Sequence, residues 1–170
     1  MESTHVWAGV PRWLLGDPAD ACKMWEIGLE CQYRDMAGGM HSPVLLYFAS
    51  LRHPDAFDPK KALSLIGKRA ASPKVIHWPG PIGSLLLGEM TEQQLNHEAS
   101  QMPYEPSRKG RFGMVHFYAG VLALAEGKRS TYLERMRKCI EIRESKLNPE
   151  GFLAHHELNV TSVLRKPGSE

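Results

Sequence analysis

Apolar residues recur at three- and four-residue spacing along most of the chain, and the ends of these stretches carry helix punctuation. The spacing predicts a first helix from about His5 to Leu15, stopped by Gly16-Asp17. A second opens with Asp17 as N-cap and Pro18 in the first turn, where a missing N–H costs little, and runs to about Tyr33 with Ala21, Cys22, Trp25 and Leu29 inward. After Gly38-Gly39, Ser42-Pro43 opens a third helix through Leu51, and Asp58-Pro59 a fourth through about Ala70. A fifth follows Trp78-Pro79-Gly80-Pro81 and ends near Gly88; a short sixth starts at Thr91 with Glu92 as the nearby capping acid. A polar connection from Gln101 to Pro106 leads to the longest helices, Lys109 to Glu126 and Lys128 to Ser145, and a last one starts after Asn148-Pro149 and fades near Leu164. No run of alternating β-branched residues predicts a strand, so the class is all-α with short connections between antiparallel neighbours.

Two of the predicted hairpins share a spacing. Ala8-Gly9 precedes Gly16-Asp17 and is followed by Ala21, Trp25 and Gly28; Ala119-Gly120 precedes Gly127-Lys128 and is followed by Tyr132, Met136 and Cys139. Small residues at Gly9 and Gly120 would let the two helices of a hairpin approach closely, with Trp25 and Met136 filling the space between successive hairpins. The pattern resembles the tetratricopeptide repeat, a helix–turn–helix unit of about 34 residues. The hairpins from Pro43 to Arg69 and from Pro79 to Ala99 are looser matches. This resemblance implies a single domain over 1–170, built of antiparallel hairpins stacked as a short solenoid, with the last helix as a cap.

Composition adds exclusions. Of the 170 residues 42% are hydrophobic and 24% charged, the balance of an ordinary globular protein, which excludes disorder and collagen-like repeats. A net charge of +2 is too small for a nucleic-acid signature. The three cysteines, Cys22, Cys31 and Cys139, form no CxxC pair; they suggest no disulfide framework and no zinc site, and all three are expected as small hydrophobes on apolar helix faces. With no signal-peptide pattern and no apolar stretch approaching the roughly 20 residues needed to span a bilayer, the expected location is the reducing cytoplasm.

Catalytic and metal-binding patterns are missing in the same way. His155-His156 sit about 100° apart on a helix and cannot face one metal, HExxH does not occur, and His97-Glu98 has no second histidine in register. There is no phosphate-binding glycine loop, no dinucleotide fingerprint and no GxSxG elbow. These absences lead to the expectation of a non-enzyme with no cofactor and no metal. The basic stretch Arg108-Lys109-Gly110-Arg111 has no interleaved aromatics to stack on bases, and reads as a solvated helix start.

Four strings are distinctive: Tyr33-Arg34-Asp35-Met36-Ala37-Gly38-Gly39-Met40, Pro43-Val44-Leu45-Leu46-Tyr47-Phe48-Ala49, Trp78-Pro79-Gly80-Pro81-Ile82 and His116-Phe117-Tyr118-Ala119-Gly120. Together they resemble small bacterial cytoplasmic tetratricopeptide-like proteins that serve as immunity partners in polymorphic toxin loci. The resemblance implies a protein-binding module that neutralises a cognate cytosol-acting toxin by covering its active site. The alternative is a tetratricopeptide-type scaffold or adaptor for another protein or peptide. Against the carboxylate-clamping adaptors, the positions that would line a groove are Val10, Trp13, Tyr47, Leu51, Phe117, Val121 and Leu124, which cannot hold a carboxylate.

Residue chemistry places candidate partner contacts on two segments. One is the connection bearing Tyr104, Glu105, Arg108, Lys109 and Arg111, which mixes an aromatic residue with arginines on a Pro-restrained loop. The other is Tyr33, Arg34 and Asp35 beside the glycine pair, with Tyr47 on the expected concave face as a further contact.

Overall fold

A computed structural model describes residues 1–163, and within them every regular element is helical and no strand occurs. Nine α-helices follow in order: α1 Glu2–Leu14, α2 Pro18–Leu29, α3 His41–Arg52, α4 Pro59–Ala70, α5 Gly80–Leu86, α6 Glu92–Ser100, α7 Glu105–Ala125, α8 Arg129–Glu141 and α9 Pro149–Val163. Two 3-10 segments, Pro73–Ile76 and Arg143–Leu147, precede α5 and α9. The packing falls into two compact units, Met1–Glu98 and Ala99–Glu170. The boundary lies inside α6 rather than in a Pro- or Gly-rich linker, which is why nothing in the composition marks it. No helix among the described residues is long and apolar enough to cross a membrane.

In the first unit the starts of α2 and α4 obey local chemistry. Asp17 and Asp58 accept from the backbone N–H groups of Asp20 and Lys60, each at 2.9 Å, and a proline follows each cap in the first turn. α1 and α2 form a close hairpin because Gly9 has no side chain: a Cβ there would stand 2.3 Å from Trp25 Nε1. The indole lies against that bare backbone and donates to the carbonyl of Val6 at 3.0 Å. Trp25, Trp13 and Phe48 then continue the core from α2 through α1 into α3. α3 is buried without a break from Ser42 to Ser50 and packs against α1, α2, α4 and α5. A helix buried all round is apolar all round, so its sequence offers no face that favours solvent.

In the second unit α7 and α8 repeat the close approach. A Cβ on Gly120 would stand 2.6 Å from Met136 Cε, so the expected close approach at the small residues is present in both hairpins, but Trp25 and Met136 lie against the glycine of their own hairpin rather than only between successive hairpins. The last two elements lean on α7 in a similar way, since a Cβ on Gly113 would meet Ser145 Oγ at 1.8 Å. α9 turns two carboxylates inward: Glu150 accepts from the Tyr118 hydroxyl at 2.9 Å, and Glu157 from the Tyr132 hydroxyl at 2.8 Å. Both glutamates are buried, and each thus binds α9 to a tyrosine of a different helix.

Several sequence-based boundaries need correction. α2 ends at Leu29, four residues before Tyr33, because the Arg69 guanidinium of α4 donates to the Leu29 carbonyl at 2.9 Å and closes the helix there. Cys31 therefore lies past the end of α2 and is half-buried, unlike the buried Cys22 and Cys139. α6 is capped by a reciprocal pair, with Gln94 N–H donating to Thr91 Oγ1 and Thr91 N–H to Gln94 Oε1; Glu92 plays no part in it. α8 stops at Glu141, and Ser145 belongs to the 3-10 segment after it. The predicted end of the last helix at Leu164 lies outside the described residues.

Candidate functional site

The loop between α2 and α3 is held from inside by two carboxylates. Glu2, 1% exposed in the first turn of α1, accepts from the backbone N–H of Asp35 and that of Ser42, each at 3.0 Å. Asp35 accepts from the N–H groups of Gly39 and His41, each at 2.8 Å. His41 and Ser42 open α3, so both side chains satisfy amides that the helix start leaves without an intrahelical partner, at the end where negative charge is favoured. The Glu2 N–H returns a bond to the Tyr33 carbonyl at 2.9 Å, joining the loop to α1. Gly38 and Gly39 complete the turn at φ of 79° and 97°, which β-carbon-bearing residues rarely adopt.

With its backbone fixed, this loop carries exposed side chains. Tyr33 is 69% and Met36 71% exposed, and Arg34 between them is also exposed. Arg34 Nε donates to the Cys31 carbonyl at 2.9 Å, and its stem lies over Gly39, where a Cβ would come within 2.9 Å of Arg34 Cδ. Beside the loop a cavity of about 160 Å³ opens between Met1, Glu2, Ser3 and Val6 of the first helical turns, Tyr33 to Asp35, and His41. Its walls are mostly apolar, and the carboxylates that reach it have both oxygens engaged by backbone amides.

Tyr33 and Arg34 thus sit on the surface as a pair, while Asp35 is half-buried and occupied in holding the loop. The second predicted segment is not a loop. Glu105, Arg108, Lys109 and Arg111 lie in the first two turns of α7, with Pro106 in its first turn and Tyr104 at its N-cap, 63% exposed. The same rule that starts α2 and α4 with proline starts α7, and reading Pro106 as a breaker missed it. Lys109 bridges Glu105 at 2.8 Å and approaches Glu144 at 3.9 Å; these contacts lower the Glu105 carboxyl and raise the Lys109 ammonium from their ordinary values. Arg108 donates to the Met102 carbonyl at 3.3 Å. The basic stretch is therefore partly consumed by its own helix start.

Tyr47 is 6% exposed within the enclosed helix α3, and burial raises its phenol above the ordinary value. The expected concave-face residues Val10, Trp13, Phe117 and Val121 are likewise buried in their own units, because each helix spends its apolar face on its neighbours. Leu51 and Leu124 are half-buried. Among the described residues no group of three or more histidine, cysteine, aspartate or glutamate side chains is placed to hold a metal. Glu2 is the residue sequence reasoning missed: its partners lie 33 and 40 positions away, and no local signal distinguishes it from a surface glutamate. Comparison with protein-family models, curated proteins and solved structures finds no match for the chain.

Proposed function

We propose that the chain is a protein-binding module, an immunity protein that neutralises a cognate cytosol-acting bacterial toxin by binding it and covering its active site. The observation that carries the binding reading is the α2–α3 loop. It offers a tyrosine, an arginine and a methionine, residue types enriched at interface centres, on a backbone fixed by four amide–carboxylate bonds. A fixed loop loses little entropy on binding, so its contacts are retained as affinity. The toxin assignment comes from the resemblance of the four sequence strings to immunity proteins of polymorphic toxin loci.

The hairpin contacts of Gly9 with Trp25 and of Gly120 with Met136 support a tetratricopeptide-like repeat as the underlying unit. The peptide-clamping adaptor is the weaker reading, since the residues that would line its groove are mainly core residues here. Inhibition would be steric and electrostatic, without turnover.

Co-expression with the toxin domain that this reading expects in the neighbouring gene is the test, and a neighbourhood with no toxin gene would favour the scaffold. Protection should require roughly equimolar protein, resist metal chelation and accompany a stable complex; a standard interface of about 800 Å² per partner is expected. Protection by trace amounts, with the toxin's modification removed from its target, would identify a reversing enzyme and overturn this reading.

A further inference from the structure

We infer that the cavity beside the α2–α3 loop receives one apolar side chain of the bound protein, an aromatic or branched one, with a carboxylate of the same segment paired to Arg34 at the mouth. The inference rests on the protein-binding reading and specifies the chemistry of the segment bound.

Volume sets the first condition. A cavity of about 160 Å³ is close in size to the roughly 150 Å³ apolar cavity that accepts benzene in an engineered protein, so a phenyl or branched aliphatic group matches it. Polarity sets the second. Val6, Met1 and Tyr33 are among its lining and its surface is mostly apolar, while the Glu2 and Asp35 carboxylates are already taken up by four backbone N–H groups. Each of these carboxylate oxygens already holds a backbone donor, so an apolar group entering the cavity does not strip the carboxylates of their partners.

Arg34 sets the third. Its Nε is committed to the Cys31 carbonyl and its stem is seated over Gly39, so the guanidinium is held in place at the surface. Its two terminal nitrogens have no hydrogen bond or ion pair with the described residues. On an exposed residue they form a planar fork that suits a carboxylate in bidentate fashion and repels a cation. The two nearby carboxylates are bound to amides at the start of α3, whose dipole offsets them, so Arg34 brings net positive charge to this rim.

The test uses the full chain and two blocked tetrapeptides, acetyl-Gly-Asp-Phe-Gly-amide and acetyl-Gly-Lys-Phe-Gly-amide, titrated while NMR follows the Val6 and Met1 methyls and the Gly39 amide. The aspartate peptide should shift these signals saturably below about 10 mM, and the lysine peptide should bind roughly tenfold more weakly. Arg34→Gln should erase that difference, and Ser3→Trp, at an exposed position on the cavity lip, should suppress both titrations while leaving the circular dichroism unchanged. Absence of any shift overturns the inference, as does equal binding of both peptides. Signals that move with protein concentration alone would place a second copy of the chain in the cavity and overturn it too. Toxin protection that survives Ser3→Trp would sink this inference while leaving the protein-binding reading intact; wild-type protein that fails to protect would sink that reading whatever the peptides do.

Discussion

Gly9 and Gly67 are both helical glycines, and their surroundings give substitutions opposite signs. A methyl at Gly9 would sit 2.3 Å from the Trp25 indole, whose N–H is fixed to the Val6 carbonyl, so neither ring nor backbone can yield cheaply. Gly9→Ala should destabilise by about 1–3 kcal/mol. A methyl at Gly67, inside α4, meets no atom within 4 Å. Gly67→Ala should stabilise by about 0.5–1 kcal/mol, because alanine loses less backbone freedom on entering a helix. Denaturant midpoints of the two variants decide: equal shifts of the same sign would mean that the α1–α2 contact does not depend on the missing side chain. The thiols separate on the same logic of environment. Burial first, then the nearby Glu26 and Glu150 carboxylates, push the thiols of Cys22 and Cys139 up to about 12. The folded state therefore holds these protons more tightly than the unfolded chain. Their contribution to stability is complete below the unfolded thiol value near 9, and falls as pH rises from about 9 to about 12. At pH 8 a thiol reagent should label Cys31 in the native protein and all three cysteines only after unfolding. Rapid native labelling of Cys22 or Cys139 would show that their helices open readily.

At the scale of elements, what the sequence disclosed was local and what it hid was distant. Asp17-Pro18 and Asp58-Pro59 announce α2 and α4 because cap and first-turn proline act within three residues of each other. The signal for α7 was equally local at Glu105-Pro106, and Thr91 with Gln94 spelled the cap of α6. The early end of α2 was not legible, since it depends on Arg69, 40 positions away in α4. Nor was the anchoring of α3, where the N-terminal amides find their acceptors on Glu2 and Asp35 rather than on a local cap. The candidate site was legible only as residue types: Tyr33 and Arg34 stood out, but the cavity and the buried glutamate that shape their setting come from tertiary contact. Glu2→Ala should cost about 1.5–3 kcal/mol or more, the worth of hydrogen bonds to a charged acceptor plus two amides left buried. It should also raise hydrogen exchange at Asp35 and Ser42 ahead of the rest of α3. Protection unchanged at those two amides would mean that water replaces the carboxylate without loss and that the loop is not fixed by it.

For the whole molecule the question is where binding energy can concentrate. Charge does not localise it: the net value is +2, and the surface pairs Arg12–Asp20, Lys61–Glu26, Lys128–Glu126 and Lys138–Glu134 neutralise cations one by one. Exposed pairs of this kind are screened by salt and contribute little, so affinity for a partner should depend only modestly on ionic strength. Exposed apolar side chains are more selective. Tyr33 and Met36 stand three positions apart on one fixed loop next to a cavity, whereas Tyr104 stands at the start of a helix whose basic residues are partly engaged by their own neighbours. Anchors beside a concavity can be fully desolvated, and that is the circumstance in which a side chain costs most to remove. Changing Tyr33 and Met36 together to alanine should therefore weaken binding to the proposed protein partner at least about tenfold, roughly 1.4 kcal/mol or more, while Tyr104→Ala changes it less than about threefold. Both variants should unfold at the wild-type temperature, since none of the three side chains is buried. Calorimetric titration against the proposed partner distinguishes the two segments, and the reverse ranking would move the interface to the start of α7.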